Sequence, residues 1–289
     1  MNEQNENKTI RRATGLLIIE VRDSNPNGDP DRESDPRQRP DGRGEISPVS
    51  FKRKVRDLID DKDGPVWTEL NKGLKLDPNQ FYILESRAVK RPTVLKELEG
   101  DSSAFKNKYW DGRVFGNTFL EENAPTTVKT GVAQFGLGLS VAPIDISRLT
   151  NTKMAPVEEN KTRGMAPMGY RFVKHAVYCM PFFINPSMAH KSGCTKQDID
   201  LLLKVIPYAY SHTRSHGRPM VELRHAWYIE HKSPLGSCSD FALLDALTPG
   251  RNEKRDEPST SWKDYEPIPT VLPDTLSSRV EPLKDLING

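Results

Sequence analysis

Cysteine is scarce: Cys179, Cys194 and Cys238 are the only three in 289 residues, far apart and without a C-x-x-C pair. That excludes a disulfide scaffold or a zinc ribbon and points to a reducing cytosol. No apolar run approaches the roughly 20 residues of a membrane-spanning helix. The polar start MNEQNENKTIRR lacks the apolar stretch of a secretion leader. Charge of one sign is also missing, since 42 basic and 40 acidic residues leave a formal net charge of +2. Any nucleic-acid partner must therefore be met by a local patch and not by a basic exterior. No G-x-S-x-G elbow, P-loop or dinucleotide fingerprint occurs. A soluble, intracellular protein without a membrane partner is expected.

What the chain does have is polar surface and proline. Charged residues make up 28%, prolines number 23 and the mean hydropathy is -0.65. The length suffices to bury a core, most simply as one domain with insertions, and the composition demands extended loops.

The β-branched run LLIIEV inside Ala13 to Arg22 reads as a buried strand. After it comes a long loop rich in Asn, Gly, Pro and paired charges. Ser47 then reads as an N-cap with Pro48 in the first helical position, and Phe51, Val55, Leu58 and Ile59 form one apolar stripe. Further strands are predicted over Phe81 to Lys90, Thr127 to Val141, Phe172 to Ile184 and Leu223 to Lys232. A helix capped by Thr195, with Asp198 at its third position, precedes the last of them. The order strand, helix, strand, strand, helix, strand is that of an α+β, ferredoxin-like split βαβ fold, as in RNA-recognition domains. Beyond Thr248 the composition is that of a linker, with a tail able to dock one short strand. The connections 23–47 and 142–169 are too long for bare turns, and loops of that length carry function or lack order.

Helical geometry sets Arg53 opposite the apolar stripe, Lys52 and Arg56 on one flank and Lys54 on the other. A face carrying Lys52, Arg53 and Arg56 can follow a phosphate backbone. A solvated face balanced by Asp57 and Asp60 is the competing reading. The turn NPNGDP offers the amides of Asn25 and Asn27, with Gly28 free to take positive φ, and can position nucleic acid without reading sequence. Asp23, Asp29, Asp31 and Asp35 lack the twelfth-position Glu of a calcium loop, so no metal is assigned. His212 and His216 share helical spacing, but no Glu follows His212 and Gly217 and Pro219 break the helix, which excludes a zincin. Arg214 and Arg218 beside them make a second basic patch.

The strand followed by NPNGDPD, the helix with FKRK, the segment WDGRVFG, and the later HTRS and HKSPLG together resemble one family. It is the repeated backbone subunit (RAMP superfamily) of type I CRISPR surveillance complexes, Cascade, nearest to the type I-C form. The resemblance spans about residues 13 to 235. It departs after Met168 and Gly169, where the family has a basic Arg-Lys-His stretch and this chain has Tyr170, Arg171 and Phe172.

The polar composition of the start suggests a disordered tail at 1–12, and the resemblance implies an RNA-recognition-like palm at 13–248. The palm would carry a loop insertion at 23–47, a finger-like insertion at about 62–126 and a β-hairpin thumb at about 142–169, with a linker and extension at 249–289. It further implies a non-catalytic subunit, without cofactor, that polymerises head-to-tail along crRNA in a prokaryotic cytoplasm. Its partners would be the guide, the target DNA strand paired to it, copies of itself, and the large PAM-reading, guide 5'-end and small subunits. Asn25, Asn27, Lys52, Arg53, Arg56, Arg214 and Arg218 would hold the RNA, and the thumb would bring Met154, Met165 and Met168 against it. The alternative is a type III-like backbone that cuts target RNA with Asp29, Asp31 or Asp35.

Overall fold

The computed structural model describes residues 9–86, 92–94, 96, 106–116, 130–153, 166–252 and 256–288. Its centre is β1 (Ala13–Ser24), whose apolar residues are buried on both faces, which is why its sequence shows a continuous run rather than an alternation. β1 pairs antiparallel with β8 (Ala166–Ile184) on one side and with β9 (Val221–Glu230) on the other, Ile18 lying opposite Cys179 and Leu17 opposite Ala226. The sheet runs β10 (Lys284–Asp285), β9, β1, β8, β6 (Gly138–Pro143), β4 (Arg43–Ile46), with β5 (Ala133–Phe135) and β7 (Ile146–Lys153) also on β8. Every pairing in it is antiparallel. The result is a mixed α/β fold on one large antiparallel sheet.

Two cores flank that sheet. Leu17, Ile19 and Val21 face a cluster built from α1 (Pro48–Asp60), α2 (Pro65–Leu74), α3 (Trp110–Phe115), α4 (Ala189–Ser192) and α5 (Lys196–Val205). Leu16 and Ile18 face the opposite way, onto Leu243 and Leu247 of α6 (Asp240–Leu247) and onto Tyr265, Leu272 and Val280. Residues 256–288, whose composition suggests a linker, thus include side chains of the second core. Ser259 Oγ lies 2.8 Å from His175 Nδ1, whose Nε2 is 3.2 Å from Glu20 Oε1, and the Tyr265 hydroxyl donates to Ser259 across 2.9 Å. Serine, histidine and carboxylate stand in the order of a nucleophilic relay. All three are buried, so they tie this segment to β1 and β8 instead of meeting a substrate.

The helix starts follow the sequence. Ser47 Oγ accepts from the Ser50 N–H, Pro48 opens α1, and Thr195 and Asp198 form a reciprocal capping box on α5. Two strand predictions need correction. The stretch from Phe81 to Ser86 contains no strand, only an isolated bridge from Tyr82 to Tyr109, because the Asp111 carboxylate takes the N–H groups of Leu84 and Glu85. Residues 87–90 lie outside the described part. The glycine-punctuated stretch splits into β5 and β6, with the Gly136 N–H between them donating to Pro181 O of β8 at 2.8 Å, and residues 127–129 lie outside the described part.

Candidate nucleic-acid interface

The long loop after β1 is tightly built. β2 (Gly28–Asp29) pairs with β3 (Asp35–Pro36), and positive φ falls at Asp23, Glu33, Ser34 and Gly42. Gly28 is not among them; a Cβ there would stand 3.2 Å from Ser34 O, so glycine serves a close backbone approach rather than a left-handed turn. Asn27 Oδ1 accepts from Ser47 N–H at 2.9 Å and from Ser47 Oγ at 2.8 Å, and its amide donates to Gly28 O at 3.1 Å. Asn27 thereby fixes the loop to the cap of α1, with little of its own surface left for a ligand. Asn25 donates to Ser34 O at 2.8 Å, while its Oδ1 is buried without a hydrogen-bond partner among the described residues.

On α1 the four cations have four environments. Arg56 is 4% exposed, donating to Asp111 at 2.8 Å and pairing with Glu85 at 3.1 Å. It is therefore part of the interior, and the expectation that it lies on an open face is corrected: α3 and the 81–86 stretch cover that flank. Arg53 remains half-exposed, donating to Glu85 O at 2.5 Å and pairing with Asp57 at 3.8 Å. Lys52 stands 5.1 Å over the Phe115 ring, and burial lowers its ammonium below the usual lysine range. Lys54 is 6% exposed and stands 5.3 Å over the Tyr210 ring. Burial and the neighbouring Arg218 charge bring Lys54 down to about 8.

Arg214 and Arg218 lie on the connection into β9, held by Asn25 N–H to Gly217 O at 2.8 Å and Arg22 N–H to Met220 O at 3.0 Å. Arg214 is exposed and Arg218 half-buried. Neither has an acidic partner within 4.0 Å among the described residues, and the same holds for Lys52 and Lys54. The second basic segment thus meets α1 along the Lys54 flank and not along the Lys52 and Arg56 flank. Lys54, left out of the sequence-based face, is the residue that joins them. It follows Phe51 by three positions and precedes Leu58 by four, so it borders the apolar stripe and is drawn inward with it.

Two of the loop carboxylates, Asp29 and Asp35, have arginine neighbours. Arg148 grips both oxygens of Asp35 at distances from 2.6 to 3.2 Å, Arg171 reaches Asp35 at 3.5 Å, and Arg37 stands 4.0 Å from Asp29. Asp29 also accepts from the Asp31 N–H at 3.2 Å. Among the described residues no group of three or more His, Cys, Asp or Glu side chains is placed to hold a metal. His212 and His216 pack separately, against Tyr208 and Tyr170. β7 and the first half of β8 form an antiparallel ribbon with Ile146 opposite Val173 and Lys153 opposite Ala166. Of the three methionines expected there, Met168 lies on β8 opposite Asn151, and Met154 and Met165 lie outside the described residues.

A curated relative, "CRISPR-associated protein Cas7" of Haloferax volcanii, is 30% identical over 115 residues, which is 39% of this chain and 34% of the relative's length. The chain is also similar to a solved structure described as "CRISPR RNA-guided surveillance complex, pre-nicking", with 14% identity and a TM-score of 0.49 over 76% of this chain and 78% of that one. For a second, "CRISPR RNA-guided surveillance complex", the values are 16% and 0.46 over 82% and 75%. The family described as CRISPR-associated protein Cas7 matches residues 11–269, which includes the loop, α1, the ribbon and the connection into β9. On that match, which takes in most of the sequence, the chain belongs to the Cas7 family.

Proposed function

We propose that this chain is a crRNA-binding backbone subunit of a type I CRISPR interference complex, nearest to type I-C, that packs head-to-tail along the guide and cuts nothing. The observation that carries this reading is the set of cations without acidic partners among the described residues, Lys52 and Lys54 on α1 with Arg214 and Arg218 before β9, in a chain of the Cas7 family. Phosphates satisfy such cations, and a few contacts per subunit suit a modest net charge. The order β9, β1, β8, β6, with α1 after β1 and α5 between β8 and β9, supports a ferredoxin-like palm. The ribbon of β7 and β8 is the proposed thumb. A head-to-tail contact that does not close gives a helical filament whose length the RNA limits. Base pairing of guide with target DNA would supply the sequence specificity. Extraction of nucleic acid from the purified assembly tests this: RNA of one defined length is expected, and its absence overturns the reading.

The type III-like alternative requires a loop aspartate free to act. Asp31 is exposed and meets that requirement, whereas Asp35 is held by Arg148 and Arg171.

A further inference from the structure

We infer that the loop after β1 and the ribbon of β7 and β8 form an autoinhibitory clasp: Glu33 and Asp35 occupy Arg148 and Arg171 in the free chain, and a single-stranded RNA that displaces these carboxylates releases the ribbon. The opening partner rests on the RNA-binding reading above; the contact between loop and ribbon does not.

Arg148 and Arg171 are register partners, directly opposite each other across the ribbon. Like charges so placed destabilise a strand pair unless an anion lies between them. Asp35 is that anion. Arg148 donates to both oxygens of its carboxylate at 2.6 to 3.2 Å, and Arg171 stands 3.5 Å from it. Arg171 also pairs with the Glu33 carboxylate and donates to Glu33 O at 2.6 Å. The facing arginines are thus a seat for an oxyanion, and the chain fills it from its own loop.

Two features fit the contact for opening. The first is exposure. The structural pair Arg56 and Asp111 is 5% and 1% exposed, whereas Arg148 is 61% and Glu33 82% exposed, so water and salt reach the clasp and a competing anion can enter. The second is backbone strain. Of the four non-glycine residues with positive φ among the described residues, three belong to this loop: Asp23 at 39°, Glu33 at 50° and Ser34 at 67°. Such backbone is costly for a residue with a Cβ, less so for Asp than for Glu or Ser. All three serve the clasp. The Tyr170 hydroxyl of the ribbon donates to Asp23 O at 3.1 Å, Glu33 holds Arg171, and Ser34 leads directly into Asp35. The ribbon therefore holds the loop against its local preference, and release lets the loop relax. While the clasp is closed its arginines are unavailable, and the affinity of an anionic partner is reduced by the closed fraction.

The test uses the full chain, freed of nucleic acid at high salt and returned to about 0.1 M KCl, with a labelled single-stranded RNA. Asp35→Asn is expected to bind RNA at least about threefold more tightly than the wild type, because the arginine pair is vacated. Asp31→Asn makes the same charge change outside the clasp and should give a smaller gain. Ser34→Gly removes a left-handed cost from the closed loop, so it should act the other way, weakening RNA binding and slowing backbone hydrogen exchange at 146–150. Without RNA, exchange at 146–150 in the wild type should quicken between about 0.1 and about 1 M KCl while β1 is unchanged. RNA should quicken exchange of the Ser34 amide, which donates to Asp29 O at 2.8 Å in the closed loop. Ribbon exchange indifferent both to salt and to Asp35→Asn overturns the clasp, whatever the RNA does. An Asp35→Asn variant that binds RNA no better than Asp31→Asn overturns the autoinhibition. If neither the wild type nor Asp35→Asn binds RNA while ribbon exchange still follows salt, the RNA reading falls and RNA falls with it as the opening partner.

Discussion

Arg56 Nε donates to Asp111 Oδ2 across 2.8 Å, and both side chains are buried. Asp111 also accepts from the N–H groups of Leu84 and Glu85 at 2.7 and 3.2 Å. One carboxylate therefore couples α1, the 81–86 stretch and α3, and it decides the shape of the surface beside the basic helix.

Removal of one partner from such a pair leaves the other charge buried, a loss of about 3–5 kcal/mol. Arg56→Ala should lower stability by that order in urea denaturation. Arg53→Ala, at a half-exposed position with weaker pairing, should cost less than about 1 kcal/mol. A triple charge reversal at Lys52, Arg53 and Arg56 would thus unfold the chain before it reported on RNA, and equal midpoints for Arg56→Ala and wild type would show that the pair contributes nothing.

Asn27 offers a second stability prediction. Its Oδ1 holds both the N–H and the hydroxyl of Ser47, which itself caps α1. Loss of a cap costs about 0.5–2 kcal/mol, and the half-buried Ser47 N–H left unpaired adds to it. Asn27→Ala should therefore lower stability in urea denaturation by about 1–3 kcal/mol. Asn27→Asp keeps an acceptor towards Ser47 and should retain most of the stability; identical losses for the two variants would remove the cap from the explanation.

Acid stability turns on Glu20. Burial pushes its carboxyl up, but hydrogen bonds from His175 and Arg22 and the charges of Arg22 and Arg224 outweigh that and hold it at about 2. Its folded pKa is below the unfolded value near 4.5, so the unfolded chain binds the proton more readily. The stabilisation is complete above that value and is lost as pH falls towards about 2. Thermal melts from about pH 6 down to about pH 2 should show the wild type losing stability steeply below about pH 4.5, with Glu20→Gln less stable at the upper end and flatter across the range. Parallel profiles would assign the acid loss elsewhere.

The caps of α1 and α5 and the strands β1, β8 and β9 were legible because their signals are local: a Ser or Thr before a periodic stripe, or a run of β-branched residues. The burial of Lys54 and Arg56 was not. A helical wheel places both on flanks, and whether a flank is wet depends on what packs there, here Tyr210 and the α3 segment. The missing strand at Phe81–Ser86 has the same origin, since a carboxylate 26 to 27 residues away in sequence takes its N–H groups. Asp35 likewise acquires an arginine from the ribbon, a pairing between segments 113 residues apart that no local pattern announces.

That pairing bears on whether the chain cuts RNA. Asp35 lies between Arg148 and Arg171, so a metal ion or a target hydroxyl must displace a bidentate guanidinium to reach it. Arg148 is largely exposed, and surface pairs contribute about 0–1 kcal/mol, so Asp35→Ala should barely move the urea midpoint. Locally it should matter more: the ribbon loses its attachment to the loop, and backbone hydrogen exchange at 146–150 and 169–173 should quicken while β1 and β9 are unchanged. In the assembled complex with complementary RNA and magnesium, the target should stay intact for the wild type and for Asp29→Ala, Asp31→Ala and Asp35→Ala alike. Evenly spaced cuts that one of these substitutions abolishes would instead make that aspartate catalytic and move the chain to the type III-like reading; Asp31, exposed and without an arginine within 4.0 Å among the described residues, is the position where such a result would have to appear.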